Sequence, residues 1–478
     1  MKSVLRAGTV LSIFYLLVLF SSCGSKETPT PTPPPPTPPV PDHITITVSP
    51  TDVKQEMIGF GGGLTWYSNW VTGNVKNGEI ADLMFTDLGI DIIRFKNWYY
   101  PSDYPTNKSV DNIGNTADTD YSKPQWDATN TLYQMAMERN PNIKILLSSW
   151  GPPVQLKSNG KLQEGTLLKD GSGNFVYDDF AQYWSDVLDN VPFNPDYISI
   201  QNEPTYANSG WTSCQWDINE TSTLPGYNTA FNKVYDKIKT RAHVPIMFGP
   251  ESQDITTFVS FSNVLKDNAN CGIYAYHPYN INASSTASGI TSSLQSVGSF
   301  STKPNVLTEF SDNLDWFNTA LFIQNALLYA NSSGYIYWKF TWNTPTSGTD
   351  AAIISMASSN STSAYTVTPF YYLIKHFSKY VDAGFHRVST SSANDTNNAL
   401  VTTAFINPAN NQLTVVVVNS STSSLKMDLK AVDKTASSIN VYQSVTATNS
   451  YYKTVTVASP TDVVTLPAKS ITTFVIGI

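Results

Sequence analysis

Short apolar runs recur through the middle of the chain, and each is a candidate β-strand. The runs are four to seven residues long and many end in polar residues, which is typical of buried strands that lead to a polar surface. Helical patterns lie between several of them, most clearly at residues 180–188 and 227–241. Eight runs occur, at residues 58–61, 90–95, 143–149, 197–201, 245–248, 272–276, 305–308 and 334–338. This alternation predicts an α/β fold, with a (β/α)8 barrel over residues 58–375.

The C-terminal part of the chain follows a different pattern. Apolar and polar residues alternate there at a period of two, which indicates strands with one buried face. Turn-forming residues separate six such runs, at residues 399–406, 413–418, 425–429, 439–443, 454–457 and 471–476. Residues 376–478 are therefore predicted to form an antiparallel β-sandwich as a side domain. Residues 43–57 contain a similar alternating run, Ile44-Thr45-Ile46-Thr47-Val48, and are predicted to add a strand to that domain.

The N-terminus has the features of a targeting segment. Lys2 and Arg6 precede an apolar run at residues 10–20 that is short for a membrane span. Small residues before Cys23 resemble a bacterial lipoprotein signal, so residues 1–22 are predicted to be removed and Cys23 lipidated. The Pro/Thr-rich residues 23–42 then form an extended tether. We expect a protein anchored to the membrane of the bacterial cell envelope, with ordinary secretion as the alternative.

Composition narrows the possible functions. The formal net charge is −8 and basic residues are few, which argues against binding to nucleic acid. The 5 histidines show no ligand spacing with carboxylates, so neither a metal nor another cofactor is predicted. The sequence has no Gly-x-Ser-x-Gly motif for a serine nucleophile. Cys214 and Cys271 are equally compatible with free thiols and with a disulfide.

Two predicted barrel strands lead into glutamates. Glu203 follows the run at 197–201, and Glu309 follows the run at 305–308. They are 309 − 203 = 106 residues apart, about three units at roughly 35 residues per βα unit. Because strand C-termini share one face of a barrel, the two carboxylates are expected to oppose each other, as cleavage of a glycosidic bond requires. Taken alone, Glu203 is also compatible with the first turn of a helix capped by Asn202.

Several motifs together make the chain similar to glycoside hydrolase family 30. The resemblance runs from about residue 58 to the C-terminus and depends on the order and spacing of the motifs. They are Gly59-Phe60-Gly61-Gly62-Gly63, Ser148-Ser149-Trp150-Gly151-Pro152-Pro153, Asn202-Glu203-Pro204, Gly249-Pro250-Glu251-Ser252, Thr308-Glu309-Phe310 and Tyr337-Trp338. The family has a retaining (β/α)8 barrel and a side β-domain that includes a strand from before the barrel.

The resemblance implies a role for each of the strand-end residues. Glu203 is the expected general acid/base and Glu309 the expected nucleophile of a double displacement. Further residues are expected at the substrate. Asn202 is expected at the 2-hydroxyl of the sugar, with Trp150 and Trp338 as walls of its subsite. Arg94 and Tyr279 are expected to donate hydrogen bonds to the nucleophile, His277 to contact the sugar or the acid/base, and Glu251 to be functional without a specified role.

The expected substrate is a plant polysaccharide cut by an endo-acting, retaining β-glycoside hydrolase. The segment Gly210-Trp211-Thr212-Ser213-Cys214-Gln215-Trp216 resembles xylan-active members, which favours β-1,4-xylan or glucuronoxylan. However, Lys339 stands where members that require a glucuronate branch have an arginine, and lysine replaces a bidentate arginine poorly. The alternatives are a β-1,6-glucanase, a glucosylceramidase-like β-glucosidase and a surface glycan-binding protein on an inactive barrel.

Overall fold

A closed barrel of eight parallel strands forms the centre of the protein in the computed structural model, which describes residues 42–99, 112–113, 116–117 and 123–478. Each strand pairs with its neighbours in chain order, and the eighth pairs with the first through Gly334 and Gly59. The eight strands are Gly59–Gly63, Ile92–Lys96, Lys144–Ser148, Tyr197–Ser199, Ile246–Ser252, Cys271–Tyr276, Asn305–Phe310 and Ser332–Tyr337. The predicted (β/α)8 fold is thereby confirmed.

The predicted signal segment and Cys23 lie outside the described residues, as does the tether up to residue 41. Within the described part of the chain, every helix is too short or too polar to cross a membrane.

Helices pack around the barrel through apolar side chains spaced at one helical turn. In the helix Tyr177–Asn190, Phe180, Trp184 and Val187 are buried while Asp178 and Asp179 face solvent. The main helices are Lys123–Arg139, Tyr177–Asn190, Tyr227–Ile238, Ile255–Leu265, Ala287–Gly298, Trp316–Tyr329 and Pro369–Ser378. The shorter ones are the α-helices Ser68–Thr72 and Asn77–Ala81, the π-helical turn Asp82–Asp87 and the 3-10 turns Val154–Leu156 and Thr446–Thr448.

Side chains from six of the barrel strands form an apolar plug in the barrel interior. Its members are Ile92, Leu146, Phe248, Ile273, Ala275, Val306 and Ile336. Alternate residues of the same strands, such as Ile93 and Leu147, belong to the larger apolar cluster shared with the helices. Because the plug fills the barrel, the polar side chains near the ends of the strands lie above a solid apolar floor.

The side domain is one sheet of nine strands. They are Ile44–Glu56, His386–Ala393, Leu400–Ile406, Gln412–Asn419, Leu425–Ala431, Ser438–Val445, Ser450–Val455, Val464–Leu466 and Ser470–Gly477. All neighbouring pairs are antiparallel except Ile44–Glu56 with Leu425–Ala431, which is parallel. Val464–Leu466 stands at one end of the strand order, yet Thr465 accepts a hydrogen bond from Gln443 near the other end, at 3.2 Å. The sheet therefore folds back on itself around its own apolar core.

Residues from both chain ends build this sheet, as the alternating pattern at Ile44 predicted. The first strand lies between His386–Ala393 and Leu425–Ala431, with Thr45 opposite Ala393 and Ile44 opposite Met427.

Buried polar side chains of two barrel helices contact the side sheet. Gln324 Nε2 donates a hydrogen bond of 2.8 Å to the carbonyl of Val416. His376, in the last barrel helix, contacts Thr473 Oγ1 at 2.9 Å and Ser444 Oγ at 2.7 Å. Apolar residues of the sheet, including Val418, pack into the barrel's own cluster. The barrel and the sheet therefore share a continuous core.

Acid should weaken this junction through His376. Burial lowers the pKa of His376 to about 3, so the unfolded state takes up a proton near pH 6.5 that the folded state does not. The contribution of neutral His376 to the free energy of unfolding is fully present above that pH and declines as the pH falls towards the pKa of the folded state. We expect about 2 kcal/mol to be lost between pH 6.5 and 4.5, measured by urea unfolding. His376→Gln should flatten this dependence, whereas the control His386→Gln, at a site 37% exposed, should not.

Cys214 and Cys271 are free thiols, and both are buried. Of the two possibilities that the sequence left open, the structure has the free thiols.

Candidate active site

The two predicted catalytic glutamates meet at one cavity at the C-terminal face of the barrel. Glu203 lies just beyond the fourth strand, and Glu309 lies within the seventh. A carboxylate oxygen of Glu203 is within 4.8 Å of one from Glu309. Both line a cavity of about 750 Å³, which is large enough for several sugar units. A retaining mechanism needs about 5–5.5 Å between the carboxyl groups, and an inverting one needs a wider gap.

Arg94 connects the groups beneath this cavity. Its side chain is fully buried, and its Nη1 donates to Glu309 Oε2 at 2.5 Å. Nη2 donates to Asn202 Oδ1 at 2.6 Å, and Nε donates to Glu251 Oε1 at 3.0 Å. Ser148 Oγ also donates to Glu251 Oε1, at 3.1 Å. One guanidinium therefore fixes residues from three other parts of the barrel, a geometry that lysine does not provide.

Burial raises the pKa of Glu309 to about 7, and two donors keep it from rising further. These donors are Arg94 and the hydroxyl of Tyr279, which donates to Oε1 at 2.9 Å. The pKa of Tyr279 itself is raised by burial and by the neighbouring Glu309, so the phenol remains a donor. Both oxygens of Glu309 thus accept hydrogen bonds, which stabilise the ionised form.

Glu203 is held as the protonated partner. Burial and the negative charge of Glu309 both raise its pKa, and Glu251 adds a smaller effect in the same direction. Its direct neighbour His277 contributes no positive charge, because burial and Arg94 lower the pKa of that imidazole. Glu203 therefore binds a proton before Glu309 does, and the environments of the two carboxyl groups separate their roles.

His277 contacts the carboxyl group of Glu203. Its Nδ1 lies 3.0 Å from Glu203 Oε1, and its Nε2 lies 3.2 Å from Thr308 Oγ1. These two contacts hold the imidazole on one side of the carboxyl group. Glu203 itself lines the cavity.

The structure places Arg94 against Glu309 and His277 against Glu203, two contacts that were expected, but Arg94, His277 and Glu251 lie beneath the cavity rather than in its lining. All three side chains are fully buried and none lines the cavity. They lie one layer below it. Arg94 donates to Glu309, Asn202 and Glu251, and His277 contacts Glu203. Of the predicted substrate-binding residues, those that do line the cavity are Asn202, Trp150, Trp338 and Tyr279.

A cluster of indole rings forms one wall of the cavity. Trp150 and Trp338 are stacked with centroids 5.9 Å apart and planes at 29°. Trp66 contacts both edge-on, at 5.3 and 5.6 Å, and Trp342 lies 5.6 Å from Trp338. Lys96 Nζ is 4.5 Å from the Trp66 ring. Trp66, Trp342 and Lys96 were not predicted from the sequence, because none of them belongs to a motif on which the resemblance depends.

The glycine motif of the first strand has a steric role beside this wall. A Cβ on Gly63 would lie 2.7 Å from the carbonyl oxygen of Trp338, and one on Gly62 would lie 2.6 Å from the ring of Phe340. Any larger residue would push the first and eighth strands apart and displace the indole of Trp338.

The backbone is strained at Glu203 and at Glu251. Glu203 and Glu251 both have left-handed backbone angles, with φ of 47° and 51°, which cost roughly 1–3 kcal/mol each in residues with a side chain. The amide of Glu203 donates to the carbonyl of Glu251 at 2.9 Å, so the two strained residues hold each other.

Glu203, His277 and Glu309 also offer three potential metal-ligand atoms within 4.8 Å of one another. A cation there would compete with the donors Arg94 and Tyr279 for the oxygens of Glu309. The hydrogen bonding of this set therefore fits proton transfer and nucleophilic attack better than metal binding.

Tyr279→Phe should shift the acidic limb of the pH–rate profile. Removing the phenol donor raises the pKa of Glu309 further, so the loss of activity on acidification begins at a higher pH. A hydrogen bond to a charged group contributes about 1.5–3 kcal/mol, so kcat/KM should fall at least tenfold near neutral pH. Steady-state rates from pH 4 to 9 test this. The control is Tyr274→Phe, whose hydroxyl contacts Thr302 away from the cavity; an unshifted limb in Tyr279→Phe would contradict the role.

Comparison with curated proteins gives relatives that match part of the chain. No family model matches the chain. An endo-1,6-β-D-glucanase of Aspergillus fumigatus is 25% identical over 207 residues, which are 38% of this chain and 42% of that protein. An endo-1,6-β-D-glucanase of Neurospora crassa is 25% identical over 173 residues, 34% of this chain and 36% of that protein. The matches thus span about two fifths of these relatives.

Solved structures match over nearly the whole chain. The catalytic domain of a family 30 xylanase from Talaromyces cellulolyticus has a TM-score of 0.70 at 20% identity, over 90% of this chain and 99% of that one. An endo-β1,6-glucanase has a TM-score of 0.67 at 16% identity, over 90% and 94%. The chain therefore has the fold of the glycoside hydrolase family 30 enzymes, as its sequence motifs predicted.

Proposed function

We propose that the protein is a retaining β-glycoside hydrolase that acts on a polysaccharide. The observation that carries this proposal is the pair Glu203 and Glu309, within 4.8 Å of each other at one cavity, in surroundings that raise the pKa of Glu203 more strongly than that of Glu309. A glycan-binding protein has no need of two carboxyl groups arranged in this way.

The reaction follows from the contacts of the two carboxyl groups. Glu309 attacks the anomeric carbon while Glu203 gives its proton to the glycosidic oxygen, and the leaving sugar departs. A glycosyl ester on Glu309 results, and its formation removes the negative charge that had raised the pKa of Glu203. Glu203 then takes a proton from water, which attacks the ester from the side the leaving group vacated. Two inversions give a product with the original configuration.

Asn202 is positioned to recognise the sugar that is cleaved. Its Oδ1 accepts from Arg94, so its Nδ2 points the other way and can donate to the 2-hydroxyl. A hydrogen bond there strengthens as positive charge develops on the sugar in the transition state. Trp150 and Trp338 supply an apolar wall beside it.

The leading substrate is β-1,4-xylan, because the fold is shared with family 30 xylanases and the loop after Glu203 resembles theirs. The alternative is β-1,6-glucan, favoured by both curated relatives, which are endo-1,6-β-D-glucanases. Endo action is proposed in either case.

A product analysis on four glycans tests the proposal. Protein from Asp42 onward is incubated with glucuronoxylan, unsubstituted xylan, arabinoxylan and β-1,6-glucan, and products are separated by size. Proton NMR in the first minutes then reports the anomer released. Oligosaccharides of retained configuration are expected; inverted products, or binding without cleavage of any glycan, would refute a retaining hydrolase.

We further propose that Cys23 carries a lipid that anchors the enzyme to the cell envelope. The small residues before Cys23 and the Pro/Thr-rich segment after it support this. Cys23→Ser should move the protein from the detergent phase to the aqueous phase in a Triton X-114 partition. A wild-type protein already in the aqueous phase would favour secretion.

A further inference from the structure

An ion cluster borders the cavity beyond the eighth barrel strand, and we propose that it selects an uncharged sugar unit next to the one that is cleaved. The ion cluster consists of Asp312, Lys339 and Asp350. Lys339 Nζ lies 2.7 Å from Asp312 Oδ2 and also contacts Asp350 Oδ1. All three residues line the same cavity as Glu203 and Glu309, so this inference rests on the hydrolase function proposed above.

The positive charge of Lys339 is already neutralised inside the cluster. Its side chain is 11% exposed and lies between two carboxylates, so it has no uncompensated charge for an incoming anion. Two carboxylates and one ammonium leave a net charge of −1, and Glu309 adds another negative charge to the cavity. A sugar that carries a carboxylate would therefore be repelled, since like charges in a partly buried site interact strongly.

Neutral sugar hydroxyls find acceptors and donors in the same place. The side chain of Asp350 is 53% exposed, and in the described part of the chain its Oδ2 accepts no hydrogen bond. Lys339 has three N–H donors, of which two point to the carboxylates. Asp350 Oδ2 and the third N–H of Lys339 thus form an acceptor and a donor that fit two adjacent hydroxyl groups.

An aromatic ring completes this subsite. Lys339 Nζ lies 5.5 Å from the ring centre of Trp342, and Trp342 also lines the cavity. Trp342 is 5% exposed because it packs against Trp66, Tyr67 and Trp338, so only an edge of its indole reaches the cavity. That edge can contact the C–H groups of a sugar ring whose hydroxyls reach Asp350. The position fits a pyranose with free vicinal hydroxyls, such as a glucose or xylose unit.

Matched charged and neutral substrates test the selection. The glycan that the wild type cleaves is lightly carboxymethylated in one preparation and lightly hydroxyethylated to the same degree in another, so that the two differ in carboxylate content. We expect wild-type kcat/KM to be about tenfold higher on the hydroxyethylated form, and 0.5 M NaCl to reduce that ratio. Asp350→Asn, which removes one negative charge, should lower the ratio at least threefold. Asp236→Asn is the control, because it breaks a surface pair with Lys239 far from the cavity.

The ratio separates selection from a purely structural role. If the ion cluster only stabilised the loop, Asp350→Asn would change the rates on both preparations equally. A wild-type ratio within twofold of one, or a ratio that Asp350→Asn leaves unchanged, would overturn the proposal.

A binding measurement keeps this test independent of turnover. Affinity electrophoresis of Glu309→Gln in gels that contain either preparation reports the same preference without cleavage. Retention by both gels alike would overturn the selection of an uncharged sugar. Absence of cleavage by the wild type, with preferential retention in the neutral gel, would refute the hydrolase and leave the selection standing.

Discussion

Glu309→Gln is expected to lower kcat by about 10⁴-fold or more, a loss of about 5.5 kcal/mol of transition-state stabilisation. The amide is not a nucleophile, so the glycosyl ester cannot form. Glutamine keeps the shape of the side chain; its single amide oxygen still accepts from Arg94, and its NH2 group can donate to the oxygen of Tyr279, so folding and glycan binding should persist. Initial rates on the cleaved glycan, with affinity electrophoresis alongside, measure both effects.

A control glutamate and a chemical rescue support this assignment. Glu138→Gln, on an exposed part of the helix Lys123–Arg139, should leave kcat unchanged. With Glu309→Gly, added azide should fill the space of the missing carboxylate and give a glycosyl azide of inverted configuration. Wild-type rates in Glu309→Gln would show that another group forms the bond to the sugar.

Glu203→Gln should produce a loss that depends on the leaving group. On a polysaccharide, kcat should fall by about 10³-fold, within the range that general acid–base catalysis contributes. A dinitrophenyl glycoside needs no proton to leave, so its first step should proceed near the wild-type rate. The ester on Glu309 should then accumulate, because Glu203 is missing as the base that activates water. A burst of dinitrophenol and a mass increase on the peptide containing Glu309 measure this.

The alkaline limb of the pH profile gives a second measurement for Glu203. Deprotonation of Glu203 ends its action as an acid, so the limb should disappear in Glu203→Gln. Azide should restore turnover and give a product of retained configuration, in contrast to its effect on Glu309→Gly. If the rate of the first step fell equally on the polysaccharide and on the dinitrophenyl glycoside, the assignment of Glu203 as acid would be contradicted.

The barrel was predictable because its strands are short apolar runs at regular spacing. All eight predicted runs overlap observed strands, with ends that differ by a few residues. The side sheet was predicted as a sandwich from its alternation, and the structure adds the strands His386–Ala393 and Val464–Leu466. Those two strands are polar at many positions or very short, so period-two alternation is weak in them. The return of the sheet onto itself depends on long-range pairing that no local pattern encodes.

The site was predictable where strand ends carry motifs, and less so where loops supply the contacts. Glu203, Glu309 and Asn202 follow apolar runs and were found directly from the sequence. The shared contacts of Arg94 with Glu309, Asn202 and Glu251 were not predicted, because a sequence does not show which side chains surround one guanidinium. Asp350 lies 11 residues after Lys339 in a polar loop, and only the folded chain brings them together.

The strand Ile44–Glu56 lies inside the side sheet, between two strands from the C-terminal part of the chain, and this affects how the protein folds during synthesis. Thr45 pairs with Ala393, which a ribosome adds 393 − 45 = 348 residues later. At roughly 5–20 residues per second, that strand waits about 20–70 s for its partner. During this time its apolar side chains remain without the rest of their sheet, and the edge of the strand is open to pairing with other chains. Holding factors that bind nascent chains should therefore favour the yield of active protein, and slow translation should reduce it.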